Sequence, residues 1–69
     1  MNRDELITKL EFYYKQKISV HIDTNENKYY NGLIIEFSDK LIILLDRIIG
    51  EVPITISEIR NLEKFKGVV

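Results

Sequence analysis

The chain has no cysteine, one proline and three glycines among its 69 residues. Without cysteine, neither disulfide bonds nor thiolate–zinc sites can stabilise it. A chain of this length forms one domain, and it buries only about 60% of the surface that its unfolded form exposes. Oligomerisation is the remaining common source of stability for such a small chain. We therefore expect a single domain over residues 1–69 that forms a homo-oligomer.

An excess of charge of one sign is also lacking. Ten Lys and Arg residues against eleven Asp and Glu residues give a net charge of −1. Because affinity for phosphates rises with the number of cations, this balance argues against a non-specific DNA coat. No apolar run exceeds five residues, and the acidic start differs from a signal peptide. We expect a cytoplasmic protein without a membrane partner.

The first segment has the pattern of an amphipathic helix. Asn2 with Glu5 three residues later fits a helix-capping pattern. Apolar residues then recur at spacings of three and four, which predicts a helix over residues 3–15 with one apolar face. The residues of this face are Leu6, Ile7, Leu10, Tyr13 and Tyr14.

From residue 17 the periodicity changes to two, which is typical of strands. Ile18, Val20 and Ile22 alternate with polar residues, and the polar residues 24–27 form a predicted turn. A second strand follows, with Gly32 at its centre. Strands carry a glycine where they bend, bulge or closely approach another backbone, so Gly32 predicts such a point.

The remaining segments predict three further strands. Residues 41–45 are apolar without alternation, which indicates a strand covered on both faces or covered by another subunit. Pro53 cannot donate to a sheet, so the strand over residues 52–56 should begin at a sheet edge or at a point where pairing has not yet started. Ile59, Leu62 and Phe65 are spaced by three, which fits either a helical turn or a strand with a bulge. One helix and five short strands in this length predict a mainly β fold that forms a small barrel.

Residues with catalytic chemistry are few. His21 and Asp23 lie two apart and therefore on one strand face, where they could form a proton relay or half of a metal site. No second histidine, cysteine or nucleophile motif completes such a site, and the remaining carboxylates are irregularly spaced. We expect no enzyme activity, no cofactor, no metal site and no small-molecule substrate.

The pattern around Gly32 resembles the Sm and Sm-like (LSm) family. That family places an aromatic residue two before a mid-strand glycine and apolar residues two and five after it, which here are Tyr30, Ile34 and Phe37. Its second motif is matched by residues later in the chain. These are Gly50 and Ile54, followed by Ile59 and Leu62. The resemblance covers residues 6–65 and implies an N-terminal helix followed by a five-stranded, strongly bent SH3-like (Sm-like) barrel over residues 17–66.

The resemblance also implies a ribonucleoprotein ring that binds single-stranded RNA through two loops. The implied RNA-binding residues are Ser38, Asp39, Lys40 and Thr55. Arg47, a cation at the end of the apolar strand, is added to them as either a phosphate contact or a rim ion pair. The uridine pocket departs from the family pattern, because Ser38 and Ile42 stand at the usual aspartate and asparagine positions. Thr55 and Ile56 likewise replace the usual arginine–glycine pair. An isoleucine offers no hydrogen bond to a base edge.

Three hypotheses remain open at this stage. The first is an Sm-like ring that binds single-stranded RNA with an altered base preference. The second is an Sm-like scaffold or protein-interaction module without specific RNA binding, which the near-neutral charge and the missing pocket residues favour. The third, a small enzyme, depends on the His21 and Asp23 pair alone.

Overall fold

A computed structural model describes residues 2–67 and contains one helix and five strands. The helix and the first strands are α1 (Arg3–Gln16), β1 (Val20–Thr24), β2 (Tyr29–Phe37) and β3 (Leu41–Asp46). They are followed by β4 (Gly50–Thr55), a short 3-10 helix η1 (Ile56–Glu58) and β5 (Ile59–Lys64). The predicted mainly β fold with an N-terminal helix is confirmed.

The helix begins and ends where its terminal residues satisfy free backbone groups. The Asn2 side chain accepts a hydrogen bond from the backbone N–H of Glu5 at 2.8 Å, as the capping pattern predicts. At the other end Lys17 adopts a left-handed conformation with φ of 55°. Its backbone N–H then donates to the carbonyl groups of Tyr13 and Tyr14 in the last turn. Leu6 and Leu10 are buried, so the predicted apolar face packs on the sheet.

All five strands form one antiparallel sheet in the order β4-β3-β2-β1-β5. The long strand β2 pairs with β1 over its first half and with β3 over its second half. Gly32 lies at the changeover and pairs with both Val20 and Asp46. A Cβ atom at this position would lie 2.1 Å from the carbonyl oxygen of Leu45, so Gly32 permits a close backbone approach.

The sheet is strongly bent. Its two edge strands, β4 and β5, are joined by only the three residues of η1. In a flat sheet, strands at opposite edges of five would lie about 19 Å apart, whereas four residue steps of a 3-10 helix span about 8 Å. The sheet therefore curls until the end of β4 approaches the start of β5. Within residues 2–67 no strand pairing joins these two edges.

Bending encloses one core that is formed by the helix and all five strands. Its members are Leu6, Leu10, Val20, Ile22, Ile34, Ile42, Leu44, Ile54, Ile56, Ile59 and Leu62. In β3, Ile42 and Leu44 point inward, while Leu41 and Ile43 are half-buried and Leu45 is exposed. Partial covering of the outer face accounts for a strand whose sequence shows no alternation.

The spacing of three near the C-terminus is produced by a bulged strand. In the pairing of β1 with β5, Asp23 faces Asn61 and Thr24 faces Ile59, so Arg60 is an extra residue. The bulge lets Ile59 and Leu62 both reach the core. Pro53 lies in the edge strand β4, as predicted, but that strand begins at Gly50 and Ile56 already belongs to η1.

Candidate nucleic-acid interface

The turn between β2 and β3 is built by the hydroxyl group of Ser38. Ser38 Oγ accepts hydrogen bonds from the N–H groups of Lys40 (3.3 Å) and Leu41 (3.2 Å), and it donates to the Leu41 carbonyl at 3.1 Å. The hydroxyl therefore acts within the turn. Asp39 and Lys40 are exposed at its tip, where their side chains can meet a ligand.

The loop after β4 lies directly beside this turn. The Ile56 N–H donates to the Lys40 carbonyl at 2.9 Å, and Thr55 faces Leu41 in the strand register. Glu58 in turn accepts a hydrogen bond from the Thr55 N–H at 2.9 Å. Four of the five predicted RNA-binding residues are thus brought together at one end of the sheet. These four are Ser38, Asp39, Lys40 and Thr55.

Arg3 belongs to the same surface, although it was not predicted from the sequence. Its guanidinium group donates to the Asp39 carbonyl at 2.7 Å and so connects the start of α1 to the turn. The surface combines two cations, Arg3 and Lys40, with the carboxylates of Asp39 and Glu58. No local pattern predicts this contact, because the two residues are 36 positions apart. The arrangement offers phosphate contacts, but residues 38–40 and 55–58 contain no aromatic ring for base stacking.

The fifth predicted residue, Arg47, lies elsewhere. It follows β3, whereas the Ser38 turn precedes this strand. Six residues of strand separate the two ends by about 20 Å. Arg47 therefore lies at the opposite end of β3 from the other four residues.

His21 and Asp23 lie side by side on the outer face of β1. His21 Nε2 is 2.7 Å from Asp23 Oδ1, and Nδ1 is 2.6 Å from Asn31 Oδ1 on the neighbouring strand. The ring also stacks on Tyr29 at 6.1 Å between centroids, and 27% of the histidine side chain is exposed. Both ring nitrogens thus face side chains that hold the ring in place. Asn31 could be found only from the strand register, which sets it opposite His21.

A second surface feature, the loop between β3 and β4, was not identified from the sequence. Asp46 Oδ1 accepts hydrogen bonds from the N–H groups of Ile48 (2.8 Å) and Ile49 (3.0 Å). Hydrogen bonds from the Ile49 and Ile48 N–H groups hold the pKa of Asp46 below its ordinary value. An aspartate two residues before an isoleucine pair, with Gly50 directly after the pair, was the available signal.

The hydrogen bonds of Asp46 predict a loss of stability in acid. A carboxyl group whose folded-state pKa is lowered stabilises the fold fully above its unfolded value of about 4. This contribution disappears as the pH falls through the lower folded value. In Asp46→Asn the amide oxygen can still accept the two hydrogen bonds, but the side chain does not titrate. We expect urea midpoints measured from pH 7 to pH 2.5 to fall less steeply in the variant below pH 4, and parallel curves would contradict this role for Asp46.

Comparisons with known proteins do not identify a family. No model of a known protein family matches the chain, and no curated protein sequence matches it. Residues 2–67 contain no helix with the length and apolar character needed to cross a membrane. In the same range, no three His, Asp or Glu side chains are grouped so that they could hold a metal ion.

Proposed function

We propose that the chain is an Sm-like subunit of a homo-oligomeric ring that binds single-stranded RNA. The observation that carries the proposal is the convergence of the Ser38 turn with the Thr55 loop, joined by the hydrogen bond from Ile56 to Lys40. Separate loops that meet at one end of a bent sheet form a compact surface. Repetition of this surface around a ring raises the overall affinity of a weak site, because several sites contact one RNA molecule at once.

The free edges of the sheet supply the means of assembly. Strands β4 and β5 lie at opposite edges of the sheet order, and an unpaired edge is a template for another strand. If β4 of one subunit pairs with β5 of the next, the contact is head-to-tail, and a ring results when the rotation closes. In this proposal the bent sheet is the nearly closed barrel of the Sm-like fold, and subunit pairing covers its remaining edges.

A scaffold without RNA binding is the second candidate function. The Ser38 hydroxyl is used within its own turn, and Glu58 adds a carboxylate near the loop that would meet RNA. Both features weaken phosphate binding. This alternative keeps the ring and predicts that its outer surfaces bind proteins instead.

Removal of the Lys40 side chain tests the RNA proposal. Lys40 is the exposed cation at the tip of the turn, so Lys40→Ala should weaken binding of a single-stranded oligonucleotide by about tenfold or more, since the contact is lost in every subunit. The salt dependence should also become shallower, because fewer counterions are released. Fluorescence titration with uridine-rich and adenine-rich oligonucleotides at two salt concentrations measures both effects.

Lys15→Ala is the matched control for this titration. Lys15 is an exposed lysine near the end of α1, where it pairs with Glu11 at 2.9 Å. The helix start at Arg3 contacts the Ser38 turn, and Lys15 lies about 18 Å further along the helix axis. Its removal should leave RNA affinity nearly unchanged. Equal losses in both variants would indicate non-specific attraction, and no binding by the wild-type protein at low salt would leave the scaffold function.

A further inference from the structure

The free edge of β4 offers few hydrogen-bond donors. The Ile56 N–H points toward β3, where it donates to the turn before that strand. Because backbone groups alternate in direction along a strand, those of residues 51, 53 and 55 point the opposite way, toward the free edge. Pro53 has no N–H, and the Thr55 N–H is bound by the Glu58 carboxylate at 2.9 Å. Within residues 2–67, Glu51 alone keeps a free donor at this edge, while the carbonyl groups of Glu51 and Pro53 remain as acceptors.

The free edge of β5 lacks an acceptor instead. The Phe65 N–H donates to the Ser19 carbonyl on the β1 side of the strand. By the same alternation, the backbone groups of Leu62 and Lys64 point away from β1. The Leu62 carbonyl accepts a hydrogen bond from Lys9 Nζ of α1 at 3.0 Å. In the part of the chain that the structure describes, the N–H groups of Leu62 and Lys64 and the Lys64 carbonyl remain free at this edge.

One antiparallel register matches these two sets of groups completely. With Glu51 of one copy opposite Lys64 of another, the two residues exchange both of their hydrogen bonds. Two residues further along each strand, Pro53 lies opposite Leu62, and its carbonyl accepts from the Leu62 N–H. The N–H that Pro53 lacks would have met the Leu62 carbonyl, which Lys9 already satisfies. The two missing groups therefore coincide, and these four residues keep no unmatched donor or acceptor.

Other arrangements of the two edges leave groups unmatched or bring like charges together. A shift of two residues places Glu51 opposite Leu62, so the Glu51 N–H meets the carbonyl that Lys9 occupies. The opposite shift places Pro53 opposite Lys64, whose carbonyl then meets no donor. Two β4 edges that exchange bonds at Glu51 set two carboxylates opposite each other, and two β5 edges do the same with the ammonium groups of Lys64. Like charges directly opposite each other destabilise a sheet.

We infer that the β5 edge of a second copy of this chain binds along the β4 edge in this one register, with an ion pair between Glu51 of one copy and Lys64 of the other. The inference rests on the proposed ring and adds which residues of the two edges meet. Both side chains are exposed, and neither forms an ion pair within residues 2–67. Directly paired residues lie on one face of a sheet, so the carboxylate and the ammonium group are adjacent. Pro53 and Lys9 exclude the neighbouring registers.

Exchanging the two charges tests the register. In Glu51→Lys two cations face each other at every contact, and in Lys64→Glu two anions do, so each variant should need about tenfold or more protein than the wild type to assemble. The double variant restores an attractive pair at every contact and should assemble like the wild type. Lys66→Glu is the matched control, because Lys66 is an exposed lysine two residues further along, and it should leave assembly unchanged. Sedimentation velocity over a range of protein concentrations measures all four variants.

A second pair of variants tests the coincidence of the missing groups. Lys9→Ala leaves the Leu62 carbonyl opposite Pro53 without a donor, so it should weaken assembly. Adding Pro53→Ala supplies the absent N–H and should restore it. Urea midpoints of the single variants show whether each chain still folds.

The possible outcomes separate the register from the ring. A wild-type ring whose assembly is unchanged in both Glu51→Lys and Lys64→Glu would overturn the register and leave the ring in place. An equal effect of Lys66→Glu, or no recovery in the double charge variant, would also overturn it. A wild-type protein that remains a single chain would contradict the ring and this inference together.

Discussion

Replacing Gly32 with alanine is expected to lower the free energy of unfolding by about 3 kcal/mol or more. The added Cβ atom would lie 2.1 Å from the Leu45 carbonyl oxygen and 2.8 Å from its carbonyl carbon. Both are backbone atoms of a paired strand, so they cannot move aside as a flexible side chain would. Relief requires separating β2 from β3 at the point where β2 also pairs with β1. A domain of this size has roughly 3–10 kcal/mol of stability in total, so the loss would be about a third of it or more.

Gly50→Ala provides the comparison within the same chain. Nothing lies within 4 Å of a Cβ atom at Gly50, so the only penalty is its positive φ of 96°, which corresponds to about 1–2 kcal/mol for a residue with a side chain. Urea denaturation followed by circular dichroism measures both variants. The expected order is a much larger loss for Gly32→Ala. An equal or smaller loss there would mean that the two strands do not approach each other as described.

Leu44→Ala and Leu45→Ala should differ sharply although the residues are adjacent in β3. Leu44 is 0% exposed and belongs to the core, whereas Leu45 is 43% exposed on the outer face. Removing a buried leucine side chain leaves a cavity and lowers stability by about 2–5 kcal/mol. The exposed leucine should contribute less than about 1 kcal/mol, because much of its surface already meets water.

The measurement is the free energy of unfolding of each variant, from urea denaturation followed by circular dichroism. Similar losses would show that β3 is covered on both faces to the same extent, which contradicts the exposed outer face at Leu45.

The sequence predicted the helix and strands where their periodicity was local. A spacing of four places Leu6 and Leu10 on one face of a helix, and a spacing of two places Val20 and Ile22 on one face of a strand. Each spacing can be read from the sequence because only one side of the element packs against the core. In residues 41–45 every side chain is apolar, so the pattern could not identify the inward face. The spacing of Ile59 and Leu62 was equally ambiguous, since the extra residue at Arg60 becomes visible only through pairing with β1.

The candidate site was predictable in part. The Ser38 turn and the Thr55 loop were selected by resemblance, and the bend of the sheet brings them together. Arg3 was missed because its contact with Asp39 joins residues 36 positions apart. Arg47 was selected for its positive charge at the end of the apolar strand, and it lies at the opposite end of that strand from the Ser38 turn. The sequence shows which residues flank a strand, but only the three-dimensional arrangement of the strands shows which loops lie close together.

The most direct test of the proposed assembly is the native mass of the wild-type protein. The free edges of β4 and β5 are the surfaces through which the subunits are proposed to pair. Native mass spectrometry should show one discrete species of several identical subunits. A single chain at every protein concentration would contradict ring assembly through the sheet edges.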